Sequence, residues 1–475
     1  MKTYTSLQEV RADIDSGVIN CVELVKNYLT KIEENKDLNV FLEVYSDYAM
    51  EKAKEVDQKI KDGTAGKLAG MVIGLKDVLC HKDKGLQGSS KILDGFVSQF
   101  DGTAVERILK EDAIVIGRQN CDEFAMGSSN ENSAFGNVLN AVDKSRVPGG
   151  SSGGSAVGVQ ADLCLASLGS DTGGSVRQPA SFCGIYGLKP TYSRISRYGL
   201  TAYASSFDTI GILARSLEDT ALLLEVMAGS DDYDSTVSQK EVPAYSKNLD
   251  FDKKISIGFM KEAFGEGVQE EVKQNTKLAL DKFTEAGHQI NEFSFDLIDY
   301  TLPTYYILTT AEASTNLSRF DGVRYGYRSS NTSDLVSMYK KSRSEGFGPE
   351  VKKRIMLGTF VLSHGYYDAY YTKAMKMRRL IKEETDKLLD KYDFLVMPTA
   401  PTTAFKIGEN TEDSLAMYLA DIFTVQASLS GIPGISIPNG KDKNGMPVGL
   451  QILSKSFNEA ELLAFAKHAQ TLLNA

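Results

Sequence analysis

This sequence predicts an α/β fold in which helices cover both faces of a sheet, behind a helical N-terminal segment. Three observations carry that reading. From about residue 68 onward, short β-branched runs alternate with helical stretches and Gly-rich turns, and such alternation builds a sheet with helices on its faces. The first 60 residues instead repeat apolar side chains at a helical period. No clear linker, repeat or low-complexity tract breaks the chain. It reads as one domain over 1–475, with a helical segment at 1–60, a motif-bearing core at 61–235 and the remainder of the α/β domain at 236–475.

The elements follow in order. Ser6 and Glu9 fit a capping box at the first helix. Val22, Val25, Leu29 and Ile32 recur every 3–4 residues and form one apolar stripe. Residues 40–44 read as a short extended run and 48–60 as a second helix. Residues 71–75 read as a strand with Lys76 at its end. A helix is expected over 105–112, a strand over 113–117 and a buried strand over 164–168. Further strands are expected at 255–260, 394–397, 434–437 and 448–453, and helices at 270–286, 372–390 and 459–473.

Composition excludes several classes. With 42% hydrophobic and 24% charged residues, the chain is neither disordered nor fibrous. The 53 basic and 63 acidic side chains leave a net charge of −10. That balance repels a phosphate backbone and makes nucleic-acid binding by this chain alone a poor reading. Lys340, Lys341, Arg343, Lys352, Lys353 and Arg354 cluster, as do Lys373, Lys376, Arg378, Arg379 and Lys382. With acidic residues interspersed, both clusters read as solvated helix faces. The five cysteines, Cys21, Cys80, Cys121, Cys164 and Cys183, are odd in number and include no CxxC pair. Neither a disulfide framework nor a metal ribbon is indicated. The N-terminus lacks an apolar signal core, and no run reaches the roughly 18 apolar residues of a membrane span. A cytoplasmic protein with no membrane partner is expected.

Residues 148–178 hold two glycine–serine loops, Pro148-Gly149-Gly150-Ser151-Ser152-Gly153-Gly154-Ser155 and Gly169-Ser170-Asp171-Thr172-Gly173-Gly174-Ser175. Such runs alone suggest flexible linkers, but core-type residues flank both here, including Ala156-Val157 and the apolar run 163–168. A phosphate cradle would need GxxxxGK[ST], and no Gly-Lys-Ser/Thr occurs. An oxyanion site remains. Glycine lets backbone approach a ligand closely, and the N–H groups of Thr172, Gly173, Gly174 and Ser175 can converge on one oxygen. Each such donor stabilises a tetrahedral intermediate by about 3 kcal/mol. Ser175, at the end of the turn, is then the candidate nucleophile.

A serine hydroxyl needs a base. None of the four histidines, His81, His288, His364 and His468, sits in a convincing context, although His81 lies near a motif and is the fallback. A lysine serves if burial keeps it neutral. Lys76 follows the apolar run Val72-Ile73-Gly74-Leu75. An ordinary strand-end lysine with its head in water is the commoner meaning of that pattern, and spacing alone does not decide between the two.

The motifs together resemble the amidase signature family. The resemblance lies in Gly149 to Ser155, in Asp171-Thr172-Gly173-Gly174-Ser175-Val176-Arg177-Gln178-Pro179-Ala180, in the 24-residue step from Ser151 to Ser175, and in Gly74-Leu75-Lys76-Asp77. It extends over nearly the whole chain. Glu123-Phe124-Ala125-Met126-Gly127-Ser128-Ser129, Arg319-Phe320-Asp321-Gly322-Val323-Arg324-Tyr325-Gly326 and Arg354-Ile355-Met356-Leu357-Gly358-Thr359 resemble the A subunits of glutamyl-tRNA(Gln) amidotransferases in particular. Gln426 departs from that pattern, where proline is common; a changed local bend is expected, with Asp421 left in place.

The resemblance implies a large mixed sheet and a Ser–cis-Ser–Lys triad. Ser175 would be the acyl-ester nucleophile, Ser151 the bridging serine on a cis peptide, and Lys76 the base, with Thr172 to Ser175 as oxyanion hole. It implies that Arg354 and Asp421 hold the two ends of glutamine's amino-acid head, with Tyr305 and Ser128 lining the pocket. It implies no cofactor or metal in this chain. ATP and Mg²⁺ would be used by a partner B subunit that amidates glutamyl-tRNA(Gln), with a small C subunit bracing the pair. A free-standing amidase acting on small or aryl amides is the alternative.

Overall fold

The computed structural model describes residues 2–410 and 414–474. Its strands are β1 (Phe41–Val44), β2 (Val72–Lys76), β3 (Ile114–Gln119), β4 (Ala166–Asp171), β5 (Tyr186–Lys189), β6 (Thr209–Ala214), β7 (Ser256–Met260), β8 (Gln289–Phe293), β9 (Phe394–Pro398), β10 (Gly434–Lys441) and β11 (Pro447–Leu453). They form one sheet of 11 strands in the order β1-β3-β2-β4-β6-β5-β10-β11-β9-β7-β8. The sheet is mixed. Strand β2 runs parallel to β3 and β4, β7 runs parallel to β8 and β9, and the strands between these groups pair antiparallel.

Burial explains which strands the sequence shows clearly. Strands β2, β3, β4, β9 and β11 are buried at every position, as expected where helices cover both faces, so they show as largely apolar runs. Strand β8 is at the sheet edge and mixes exposed with half-buried positions. Its polar Gln-Ile-Asn-Glu-Phe sequence gives no such run, and it went unpredicted. Strands β5 and β6 and the helices Arg177–Cys183, Leu217–Met227, Ile298–Asn316, Leu335–Gly346 and Pro349–Val361 also lie beyond the elements the sequence predicted.

The N-terminal segment is helical, with Leu7–Asp15, Cys21–Glu34 and Ser46–Lys61. The buried face of the second helix is Cys21, Leu24, Val25, Tyr28 and Ile32, while Val22 and Leu29 lie half-buried at its border. The expected stripe is therefore rotated slightly toward Leu24 and Tyr28. Only half of the expected capping box forms: the Ser6 hydroxyl accepts the Glu9 N–H, but the Glu9 carboxylate accepts from Thr5 instead.

The predicted solvated basic faces need correction at three positions. Arg354 is buried. Arg343 donates to the carbonyls of Leu317 and Phe320. Arg378 donates to Leu429 O and Ser206 O, with its guanidinium 3.9 Å above the Phe207 ring. A planar fork satisfies carbonyls and stacks on rings in ways that a lysine ammonium does not, so these arginines turn inward from otherwise polar helices. All five cysteines are free and buried. Among the described residues, no helix is long and apolar enough to cross a membrane, and no three His, Cys, Asp or Glu side chains form a metal-holding group.

Candidate active site

The site forms where the parallel strands β2 and β4 end side by side, Leu75 opposite Leu168. Open α/β sheets gather functional groups at the carboxyl ends of such strands. Lys76 is the last residue of β2, and the second glycine loop begins as β4 ends. The first loop enters from the side. The Gly150–Ser151 peptide is cis, and Ser152 precedes the helix Gly153–Gln160.

Lys76 has no exposed surface. Its Nζ lies 2.7 Å from Ser151 Oγ, 2.9 Å from Ser152 Oγ and 2.9 Å from Ser170 Oγ. Among the described residues, no carboxylate comes within ion-pair distance of it. Burial lowers its pKa below that of an ordinary lysine, against the pull of Cys121, Asp122, Asp171 and Asp208. A neutral amine has two N–H groups and one lone pair. Ser152 donates its hydroxyl hydrogen to Ser170 O at 3.2 Å, so it accepts from Nζ. In a neutral amine the shortest contact, to Ser151 at 2.7 Å, would be left for the lone pair.

Ser175 is 7% exposed and is tied to the first loop through Ser152 N–H, which donates to Ser175 O at 3.2 Å. Among the described residues its hydroxyl makes no hydrogen bond. The structure thus joins Lys76 to Ser151 directly and brings Ser175 alongside through backbone, with the Ser151–Ser175 hydroxyl contact left open. Catalytic contacts of this kind commonly tighten only around substrate.

The second glycine loop is held from below. Asp171 accepts from Val176 N–H and Arg177 N–H and pairs with the Arg177 guanidinium at 2.9 Å. Burial opposes the Asp171 charge, but Arg177 prevails and holds its pKa below the usual carboxylate range. Arg177 also binds Thr424 O, Gln451 Oε1 and Ser428 Oγ. This network consumes the donors after Ser175, while the N–H groups of Thr172, Gly173, Gly174 and Ser175 make no hydrogen bond to described residues. Two glycines are required here. Gly174 has φ +143°, and a Cβ on Gly173 would stand 2.5 Å from the Tyr305 hydroxyl.

That contact places Tyr305 against the second glycine loop. Asp421 is next to it in the site. Its carboxylate accepts from the Ser128 hydroxyl at 2.5 Å, and Thr424, three residues on, binds Gly173 O at 2.6 Å. Burial pushes the Asp421 carboxyl up to about 7, against Ser128 and Arg354. Arg354 donates to the Tyr203 hydroxyl at 2.7 Å and pairs with Glu350 at 2.8 Å. A small cavity of about 80 Å³ is bordered by Ser128, Ser129, Tyr306, Glu350 and Arg354. A larger cavity of about 800 Å³, between β8 and the helix Glu270–Glu285, holds none of these groups. Gln426 is the second residue of the helix Val425–Ser430, a position proline also tolerates. Its amide donates to Thr385 Oγ1.

The sequence reading missed Ser152, Ser170, Asp208, Tyr203 and Thr424. Ser152 and Ser170 lie within the quoted loops, but nothing in their spacing marks them as lysine contacts. Asp208 accepts from Thr172 Oγ1 at 2.7 Å and carries no motif. The fallback base is displaced. His81 Nδ1 lies 2.8 Å from Asp101 Oδ1, and its ring packs against Tyr45 and Tyr48. His288 and His468 face one another at 3.1 Å.

The chain belongs to the amidase family, whose model matches residues 23–463. Among particular relatives, it is 50% identical over 469 residues to the A subunit of glutamyl-tRNA(Gln) amidotransferase from Chlorobium limicola, covering 98% of this chain and 99% of the relative. It is 51% identical to the same protein of Chlorobaculum tepidum, covering 99% and 98%. The crystal structure of the corresponding A subunit from Thermotoga maritima superposes with a TM-score of 0.77 at 36% identity, covering 94% of this chain and 90% of that one. The peptide amidase of Stenotrophomonas maltophilia superposes with a TM-score of 0.83 at 26% identity, covering 98% and 96%.

Proposed function

We propose that this chain is the glutaminase subunit of a glutamyl-tRNA(Gln) amidotransferase, working through Lys76, Ser151 and Ser175. The observation that carries the chemistry is the Lys76 amine, sealed from solvent and set 2.7 Å from Ser151 Oγ. A lysine so placed is a base, not a surface charge.

Neutral Lys76 takes the Ser151 proton as Ser151 takes that of Ser175. Ser175 Oγ bonds to the side-chain amide carbon of glutamine, and the amide oxygen becomes an oxyanion facing the N–H groups of 172–175. The relay returns a proton to nitrogen, the C–N bond breaks and ammonia leaves. Water then hydrolyses the glutamyl ester to glutamate and frees Ser175. Arg354 and Asp421 supply opposite charges for the carboxylate and ammonium of glutamine, with Tyr305 and Ser128 lining the pocket. That paired arrangement, and the amidotransferase names of the relatives at 50% and 51% identity, favour glutamine over small aryl amides. A B subunit using ATP and Mg²⁺ would consume the ammonia on glutamyl-tRNA(Gln), with a C subunit bracing the pair. The net charge of −10 suits leaving most tRNA contact to the partner.

The test is Ser175→Ala in the co-purified assembly. Glutamine-driven conversion of glutamyl-tRNA(Gln) should fall by about 10³-fold or more, while conversion from free ammonium persists. Equal loss with both nitrogen donors would defeat the proposal.

A further inference from the structure

Glu123 is a buried carboxylate that the chemistry above does not use. It is 2% exposed and opens a short turn, Glu123–Ala125. The next two residues, Phe124 and Ala125, have φ +49° and +60°, a left-handed conformation that side-chain-bearing residues keep only when surroundings impose it. The surroundings are specific. Phe124 stacks on Phe320 at 5.1 Å and meets Phe347 at 5.7 Å.

The turn is tied to the catalytic side. Asp122 N–H donates to Ser151 O at 3.1 Å, and the Asp122 carboxylate accepts from Asn130 and Asn132 N–H. Ser128, which holds Asp421, lies between those anchors. Glu123 is bonded elsewhere. Both of its oxygens accept the Gly348 N–H, at 3.1 and 2.8 Å, and one accepts a hydrogen bond from Ser90 Oγ. A Cβ on Gly348 would lie 2.4 Å from Glu123 Oε2, so carboxylate and backbone are in full contact. Gly348 is the N-cap of the helix Pro349–Val361, which carries Glu350 and Arg354.

We propose that Glu123 is a positioning residue for glutamine: it holds the N-terminal end of the Arg354 helix against the turn that leads to Ser128. It thereby sets the spacing between the Arg354 guanidinium and the Asp421 carboxylate. Glu123 touches neither substrate nor the reacting atoms; it acts through the two groups that grip the amino-acid head. The inference rests on the glutaminase reading.

The experiment compares wild type, Glu123→Gln and Ser90→Ala in the co-purified assembly. Glutaminase kcat and KM and ammonium-driven transamidation are measured for each. The glutamine side chain keeps the volume, but its amide nitrogen would stand where Oε2 accepts the Gly348 N–H at 2.8 Å, setting donor against donor. Glu123→Gln should raise KM for glutamine about tenfold, and Ser90→Ala about threefold, as expected for loss of buried hydrogen bonds. Both should leave kcat and the ammonium-driven rate within about twofold of wild type. An unchanged KM in both variants would overturn the inference, and so would a joint fall of kcat, glutamine affinity and ammonium-driven rate. Wild type that released no ammonia from glutamine would instead remove the glutaminase reading, and this inference with it.

Discussion

The sheet side of the site and its helical wall each bury a cation, and they treat its charge in opposite ways. Lys76 ends β2 among three serine hydroxyls. Among the described residues no ion pair reaches it there, and burial lowers its pKa against the weaker pull of Cys121, Asp122, Asp171 and Asp208. Arg354 sits in the helix Pro349–Val361. Burial acts against its charge as well, but the Tyr203 hydroxyl and Glu350 more than offset it, and its pKa rises. Burial alone therefore does not say what a cation is for. Hydroxyl acceptors leave a base, whereas a carboxylate and a phenol leave a permanent charge for an anion to find.

Exchanging the two kinds of cation breaks the contrast most severely. Lys76→Arg should lower glutamine-driven activity by at least about 10³-fold, because a guanidinium stays protonated and cannot act as the base. Single-turnover ammonia release measures it, and substantial activity would take lysine out of the mechanism. The reverse exchange is milder. Arg354→Lys removes the fork that reaches Tyr203 and Glu350 together, and KM for glutamine should rise about 10- to 100-fold with kcat much less affected. Steady-state kinetics separate the two parameters.

The smallest expected effect sharpens the contrast on the anionic side. Asp421 is pushed up to about 7 by burial, and in the proposed binding mode only its carboxylate form would pair with the ammonium of glutamine. Lowering pH through 7 protonates it, so KM should climb by up to about tenfold between pH 8 and pH 6. The raised pKa also has a stability sign. The folded carboxyl holds its proton between about 4 and 7, where the unfolded one has lost it. Asp421 therefore favours folding at acidic pH, and that contribution is lost as pH rises toward 7.

Legibility followed burial and backbone constraint. The strand ending at Lys76 and both glycine loops could be read because a fully buried strand must be apolar and a tight oxyanion turn must contain glycine. The helix Ile298–Asn316 could not. Its buried positions include Thr301, Thr304, Thr309 and Thr310 beside Leu302, Tyr305 and Leu308, so the buried face is too rich in threonine to show as an apolar stripe, and Pro303 argues against a helix. Tyr305 therefore came only through family resemblance. Arg354 looked like one of a run of surface cations, since a charge run carries no sign of which member turns inward.

The sequence by itself pointed to a serine beside an oxyanion-type glycine turn, while the strand-end lysine entered as its base only through family resemblance. Tertiary structure alone decided the state of the charges. The pKa of Lys76 is lowered, and Asp421 is pushed up to about 7, because residues from 128 to 170 and from 350 to 424 meet around them. Ionisation depends on the solvent and partners that remain after packing, and those come from parts of the chain far apart in sequence.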